Sequence, residues 1–223
     1  MKEFKTIKNF IFDCDGVLYT DLEKVFGQVS KRMTEYISKK LNVDLKKAKE
    51  LQTNYFHKYN TSLNGLMVHH KIDPHEFLEY VHDINLKFLE KDLVLREELL
   101  KLNAKKIVFT NGSNDHVINI TKHLGIDDLF DGSFDIVDCN FIPKPAIEPY
   151  EKLAKKFNIN PKETVFIDDI AKNLEPAKKL GMKTVWLINN EYWGKQDSDK
   201  NFVDLKIKNL SSFLKEINIL QAA

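Results

Sequence analysis

Short apolar runs alternate with helical stretches of about ten residues from Arg96 to the end of the chain, and few folds accommodate that alternation. Lys105–Thr110, Phe134–Val137, Thr164–Ile167 and Lys183–Leu187 read as strands, with Phe202-Val203 a candidate edge strand. Residues 97–102, 114–124, 147–157, 171–180 and about 210–220 read as helices, with Gly125 and Gly181 stopping two of them. The pattern argues for a parallel sheet with helices on both faces. One strand stands apart near the N-terminus, the apolar run Phe10-Ile11-Phe12, ended by Gly16. Between it and Arg96 the spacing is helical. Leu22, Val25, Phe26, Val29, Met33, Tyr36, Ile37 and Leu41 mark a first helix, and Asp44 caps a second that reaches about Tyr59. Asn60 to Gly65 breaks it. Asp73-Pro74-His75-Glu76 then starts a third helix, carrying Phe77, Val81, Ile84 and Phe88. The expected fold class is α/β, with an all-helical insertion between the first strand and the rest.

At 223 residues the chain suffices for a large domain, or a core with a smaller insert. The 34 Lys and Arg nearly balance the 33 Asp and Glu, for a formal net charge of +1. That balance gives no global electrostatic case for nucleic acid or a membrane surface. Cys14 and Cys139 make no disulfide framework, and a bridge at Cys14 would compete with the acids beside it, so a reducing cytoplasm is expected. No apolar leader and no stretch near eighteen apolar residues is evident.

Chemistry concentrates at the ends of the strands. After the first come Asp13 and Asp15, which as i and i+2 on a strand should face one spot, where open α/β sheets bind ligands. Two like charges that close call for a cation or a proton; a turn with solvated acids would read the same. Strand 105–110 ends in Thr110-Asn111-Gly112-Ser113, suited to a phosphate at a helix N-terminus, or simply a turn. Lys144 lies between Pro143 and Pro145 after the next strand, restrained as a phosphate-contacting ammonium would be, though lysines are mostly surface residues. Asp168-Asp169 ends strand 164–167, with Asn173 close behind; the pair suits Mg²⁺, or one acid caps the next helix. All four fall on one rim of the expected sheet, which makes a site the better reading. His69, His70, His75 and His82 have no zinc spacing, and Tyr55, Phe56 and Tyr59 read as helix packing rather than a base-stacking platform, with a ligand-facing role for one of them left open.

The order Asp13-x-Asp15-Gly, Thr110-Asn111, Lys144-Pro145, Asp168-Asp169 resembles the four motifs of the haloacid-dehalogenase (HAD) superfamily. The helical insertion resembles its C1 cap. Asp-Gly-Val-Leu-Tyr (15–19), Ser-Leu-Asn-Gly-Leu (62–66), the stretch 124–132, Phe-Ile-Asp-Asp-Ile-Ala-Lys-Asn (166–173) and Leu-Gly-Met-Lys-Thr (180–184) are similar to the pyrimidine 5'-nucleotidase branch. Position 16 is often Asn in that branch and is Gly here. The resemblance implies a Rossmann-like core at 1–19 and 93–223, a cap at 20–92, and an Mg²⁺-dependent phosphomonoester hydrolase. It implies that Asp13 is the nucleophile, forming an aspartyl-phosphate, and that Asp15 is general acid then base, a neighbouring negative charge favouring its protonated form. It implies phosphate contacts from Thr110, Asn111, Gly112 and Lys144. Mg²⁺ would be held by Asp13, the Asp15 carbonyl, Asp169 and, through water, Asp168, with Asn173 supporting. The implied partner is a small phosphorylated metabolite, a nucleoside monophosphate, rather than nucleic acid or membrane.

Three other readings stand beside this one. A dehalogenase would use the same nucleophile but needs neither Asp15 nor the Asp168-Asp169 pair. A phosphatase or phosphomutase acting on a small sugar phosphate would keep every motif. A non-enzymatic binding module would tolerate the loss of Asp13, which is present with all its partners.

Overall fold

The computed structural model describes residues 2–19, 21–189 and 191–222; Thr20, where the sequence places the start of the insertion, and Ala223 lie outside them. Six strands form one parallel sheet: β1 (Asn9–Phe12), β2 (Lys105–Phe109), β3 (Gly132–Phe134), β4 (Thr164–Asp168), β5 (Lys183–Leu187) and β6 (Leu205–Ile207). Their order is β3-β2-β1-β4-β5-β6, so the first strand lies in the middle. Ile11 pairs with Ile107 on one side and Phe166 on the other. The order reverses between β1 and β4, which makes their C-terminal ends the switch point where such sheets bind ligands.

Every residue of β1 and β4 is buried, because helices cover both faces of the sheet. Along β1 the side chains alternate. Phe10 and Phe12 join Val108, Val165, Val185 and side chains of three helices, α5 (Leu93–Lys101), α6 (Asn114–Leu124) and α10 (Leu210–Ala222). Ile11 joins Phe109, Phe166 and side chains of α7 (Ile147–Lys156) and α8 (Leu174–Lys179) on the other face. The burial of large aromatics at both faces leaves the strand ends fixed relative to one another.

Between β1 and β2 lie α1 (Leu22–Leu41), α2 (Leu45–Tyr59), α3 (Ser62–His70) and α4 (Pro74–His82), packed around Val29, Ile37, Leu63, Leu66, Phe77 and Val81. Local chemistry sets their boundaries. The Asp44 carboxylate accepts the Lys47 N–H, and Asp73 accepts those of His75 and Glu76 with Pro74 in the first turn. Asn42 and Asn60 end α1 and α2 in left-handed conformations.

Five sequence expectations move. Asn60 to Gly65 is not one loop: Thr61 caps α3 by accepting the Asn64 N–H, and Gly65 sits within that helix. A Cβ on Gly65 would lie 2.4 Å from the Tyr55 side chain, so the glycine serves a close helix crossing rather than a break. Helix α4 stops at His82, leaving Ile84 and Phe88 beyond it. Helix α5 starts at Leu93, capped by the Asp92 carboxylate accepting the Leu95 N–H. Strand β3 is Gly132–Phe134 rather than 134–137, because Asp135 accepts the Val137 and Asp138 N–H groups and turns the chain. The edge strand is Leu205–Ile207 rather than 202–203, since Thr184 bonds the Phe202 carbonyl and the Asp204 carboxylate before the ladder begins. A short helix, α9 (Tyr192–Lys195), precedes that strand. Cys14 and Cys139 are buried and not joined, and among the described residues no helix is long and apolar enough to cross a membrane.

Candidate active site

Asp13 is the first residue past β1, and its N–H donates to the Ile167 carbonyl at 2.9 Å, extending the β1–β4 ladder by one step. Its Oδ1 accepts from the Cys14 N–H at 2.7 Å and from Lys144 Nζ at 3.0 Å. Lys144 is buried, with Nζ also 2.8 Å from Asp168 Oδ2 and 3.0 Å from the Phe109 carbonyl. Its ammonium lies 5.0 and 5.4 Å from the ring centres of Phe109 and Phe166, whose electron-rich faces favour a cation. Burial would strip that charge, but Asp13 and Asp168 more than offset it and hold the Lys144 pKa above the lysine range.

Oxygens of Asp13, Asp168 and Asp169 lie within 4.8 Å of one another, all three residues buried. Three carboxylates against one ammonium is an unbalanced charge. Burial, Asp168 and Asp15 push Asp13 up to about 7 against the pull of Lys144, and burial with Asp168 and Asp13 raises Asp169 well above the carboxylate range. An all-oxygen donor set carrying excess negative charge fits a hard divalent cation such as Mg²⁺. Asp168 is otherwise satisfied within the protein: Oδ1 accepts from the Ile170 N–H and Asn173 Nδ2, and Oδ2 from Lys144 and Asn173. Asn173 thus braces Asp168, and Asn189 Nδ2 braces Asp169 Oδ2 at 2.7 Å. Gly16, at φ +77°, leaves room for that carboxylate; a Cβ there would stand 2.3 Å from Asp169 Oδ2.

Thr110 is buried beyond β2, and its Oγ1 accepts the Gly112 N–H at 2.9 Å, so that backbone donor is engaged. The Asn111 side chain is engaged too. Its Oδ1 accepts the Lys144 N–H at 2.9 Å and its Nδ2 donates to the Lys144 carbonyl at 3.4 Å, clamping the lysine loop to β2. Both residues still line the cavity over Asp13, as do Thr110, Lys144 and Asp169.

Asp15 departs from expectation. The chain turns after Cys14, whose carbonyl accepts the Val17 and Leu18 N–H groups, and the Asp15 carboxylate swings toward α6. Its Oδ1 accepts from the Tyr19 hydroxyl at 2.5 Å and lies 2.8 Å from His116 Nε2. Burial pushes its pKa up, but His116 and Tyr19 outweigh it and bring Asp15 down to about 2. The expectation that a neighbouring negative charge keeps Asp15 protonated is therefore overturned: donors surround it, and Asp13 is the raised carboxyl.

Sequence reading missed Tyr19, His116, His82 and Asn189. Ser113-Asn-Asp-His116 carried a signal, a helix cap with a histidine in the first turn beside a strand-end motif. His82 ends α4 and stacks on His116, ring centres 4.4 Å apart and planes 17° from parallel. Enclosure between insertion and core, with His116 adjacent, pushes His82 down to about 3 against the pull of Asp15.

The four helices of the insertion roof a cavity of about 350 Å³ over these residues. Its walls include Phe26, Met33, Phe56, Phe77 and Trp193, with Gln52 among the polar groups.

Comparison with known proteins gives the family. A family model described as haloacid dehalogenase-like hydrolase matches residues 7–181. Phosphate metabolism protein 8 of Saccharomyces cerevisiae is 31% identical over 233 residues, covering 94% of this chain and 70% of the yeast protein. The glyceraldehyde 3-phosphate phosphatase of Methanocaldococcus jannaschii is 26% identical over 232 residues, covering 93% of this chain and 96% of that one. The crystal structure of a HAD phosphatase from Thermococcus onnurineus superposes with a TM-score of 0.63 at 21% identity, covering 95% of this chain and 98% of the other, which is a likeness of fold. The family match takes in β1, the four helices of the insertion and the residues Asp13, Asp15, Thr110, Lys144, Asp168 and Asp169, and the chain therefore belongs to the haloacid dehalogenase-like hydrolases.

Proposed function

We propose that the protein is an Mg²⁺-dependent phosphomonoesterase that hydrolyses pyrimidine nucleoside 5'-monophosphates through an aspartyl-phosphate on Asp13. The observation that carries this reading is the Asp13–Lys144–Asp168 arrangement, with Asp169, at the floor of a roofed cavity.

In this reading an Asp13 oxygen attacks phosphorus and the ester P–O bond breaks. The departing oxygen takes a proton from Asp15, which receives it from the phosphate monoester, a group whose second ionisation lies near pH 6. Asp15, ionised again, then removes a proton from water, and the resulting hydroxide attacks the aspartyl-phosphate to release phosphate and restore Asp13. Lys144 holds Asp13 and the phosphoryl charge, and Thr110 with the loop at Asn111 and Gly112 positions the phosphoryl group. Asp13, the Asp15 carbonyl, Asp169 and, through water, Asp168 would hold Mg²⁺, which supplies the positive charge that the carboxylate cluster lacks. Asn173 and Asn189 steady the two adjacent acids.

The cavity supports a ring-bearing leaving group. Its volume lies at the lower end of the roughly 300–1,000 Å³ typical of small-molecule sites. Aromatic walls suit a nucleobase, and beside them a polar cluster is knit by Gln52, whose Oε1 accepts from Thr34 and whose Nε2 donates to Ser30, with Lys49 donating to the same serine. A small sugar phosphate is the second reading, favoured by the archaeal relative named for glyceraldehyde 3-phosphate, whose length this chain nearly spans.

Phosphate release from a panel of nucleoside monophosphates and sugar phosphates, with Mg²⁺, tests the proposal. UMP and CMP should lead, and Asp13→Asn should release none. Leading sugar phosphates would replace the substrate assignment, and an active Asp13→Asn protein would remove the nucleophile.

A further inference from the structure

Two histidines stand beside Asp15 that the phosphoryl chemistry does not use. His116 is buried in the first turn of α6, with Nε2 2.8 Å from Asp15 Oδ1. A carboxylate oxygen only accepts, so Nε2 carries the hydrogen. The other nitrogen, Nδ1, is buried with no hydrogen-bond partner among the described residues. What fixes the ring plane is instead the stack with His82. His82 in turn is tied to the core: its Nδ1 lies 2.9 Å from Ser113 Oγ. That oxygen also accepts the His116 N–H at 3.3 Å as the cap of α6, so one serine hydroxyl ties the last residue of α4 to the first turn of α6 whichever tautomer His82 adopts. Tyr19 and His116 meet the same oxygen of Asp15, which fixes the carboxylate from two directions and leaves Oδ2 for proton exchange.

We propose that His116 is a positioning residue that aims Asp15, and that His82 couples this aim to the insertion, so that the acid–base group is set only when α4 sits against the α6 N-terminus. A bland alternative is packing alone. Yet two stacked imidazoles, one with a buried unpaired nitrogen, are a costly way to fill space that leucine or phenylalanine would fill without buried polar atoms. The chain of contacts also crosses from insertion to core, between residues 82 and 113 and between 116 and 15, where no single element would hold them. The inference rests on the proposed phosphatase reading, in which Asp15 moves protons.

The test exploits leaving groups. UMP departs as an alkoxide that needs a proton, whereas p-nitrophenyl phosphate releases a phenolate that does not. With Mg²⁺, His116→Leu should lower kcat on UMP about 100-fold with KM changed less than about threefold, the scale of one general acid–base contribution. Its single-turnover release of p-nitrophenolate should stay within about threefold of wild type, because aspartyl-phosphate formation then needs no acid. His116→Gln, which restores a donor, should recover part of the UMP rate, and it carries the comparison should the leucine variant not fold. His82→Phe keeps the stacked ring but loses the Ser113 bond; it should cost UMP turnover about tenfold, and combining it with His116→Leu should add nothing. Equal losses on both esters, no loss on either, or additive losses in the double variant would each overturn the proposal. Wild-type protein that hydrolyses neither ester would overturn the phosphatase reading, and this inference with it.

Discussion

Asp169 is the residue whose environment makes the sharpest demand. Its carboxylate is buried beside those of Asp13 and Asp168, and Asn189 supplies only a neutral donor. Burial and the two like charges oppose its ionisation, which an added divalent cation would relieve. Replacing it with asparagine keeps the shape and removes a group whose ionisation the site opposes. On the proposed Mg²⁺ reading, Asp169→Asn should be more stable than wild type without metal, and should lack the stabilisation expected of wild type on adding Mg²⁺. At a hundredfold excess over Kd that stabilisation is about 2.7 kcal/mol, or about 5–10 °C in Tm for a chain of this size. Thermal melts with EDTA and with Mg²⁺ read both effects. Equal Mg²⁺ shifts in the two proteins would remove Asp169 from the metal site.

The helices of the insertion are set by caps and by one close crossing. Asp44, Thr61 and Asp73 each accept N–H groups of the first turn, which places three helix starts by local chemistry alone. The packing of α2 on α3 depends on Gly65, over which the Tyr55 side chain lies closer than any Cβ would permit. Gly65→Ala should therefore cost about 1–3 kcal/mol, the range for overpacking a filled interior, seen as a lower urea midpoint. Unchanged or raised stability, as a helical Gly→Ala change gives where space is open, would show that the crossing yields. The same element pair positions Phe56 and Gln52, which line the cavity, so substrate preference should shift in that variant before phosphoryl chemistry does.

Across the whole molecule the sheet ends at two short edge strands, β3 and β6, of three residues each. The β6 edge is held by Asp204, which accepts from the Lys178 ammonium and from the Thr184 N–H at 3.0 Å. Burial raises the Asp204 pKa, but Lys178 and Thr184 outweigh it and hold the carboxyl below its ordinary 3.8. A carboxyl depressed on folding stabilises the protein fully above its unfolded pKa, and that contribution is lost as pH falls through the folded one. Asp204→Asn should thus be less stable than wild type at pH 7, and the gap should narrow as pH drops below about 4. A gap that stays constant from pH 7 to pH 3 in urea titrations would mean that the ion pair contributes nothing to holding the edge.

What the sequence determined by itself was local or periodic: the α/β class, the first helix at residues 22–41, the caps at Asp44 and Asp73, and the strand-end residues Asp13, Thr110, Lys144 and Asp168-Asp169. Short-range hydrogen bonds and the two- and 3.6-residue repeats act within a few residues, so the chain order displays them. Where side chains reach back to the backbone, as at Asp135 and Asp204, element ends moved by a few residues, because strand propensity does not see those bonds. Only the tertiary structure decided what Asp15 faces. Its partner His116 lies 101 residues away, and His82 reaches Ser113 across 31, brought together by the sheet order and the fold of the insertion. The charge state of a carboxyl is a property of such neighbours and of burial, neither of which a linear pattern carries.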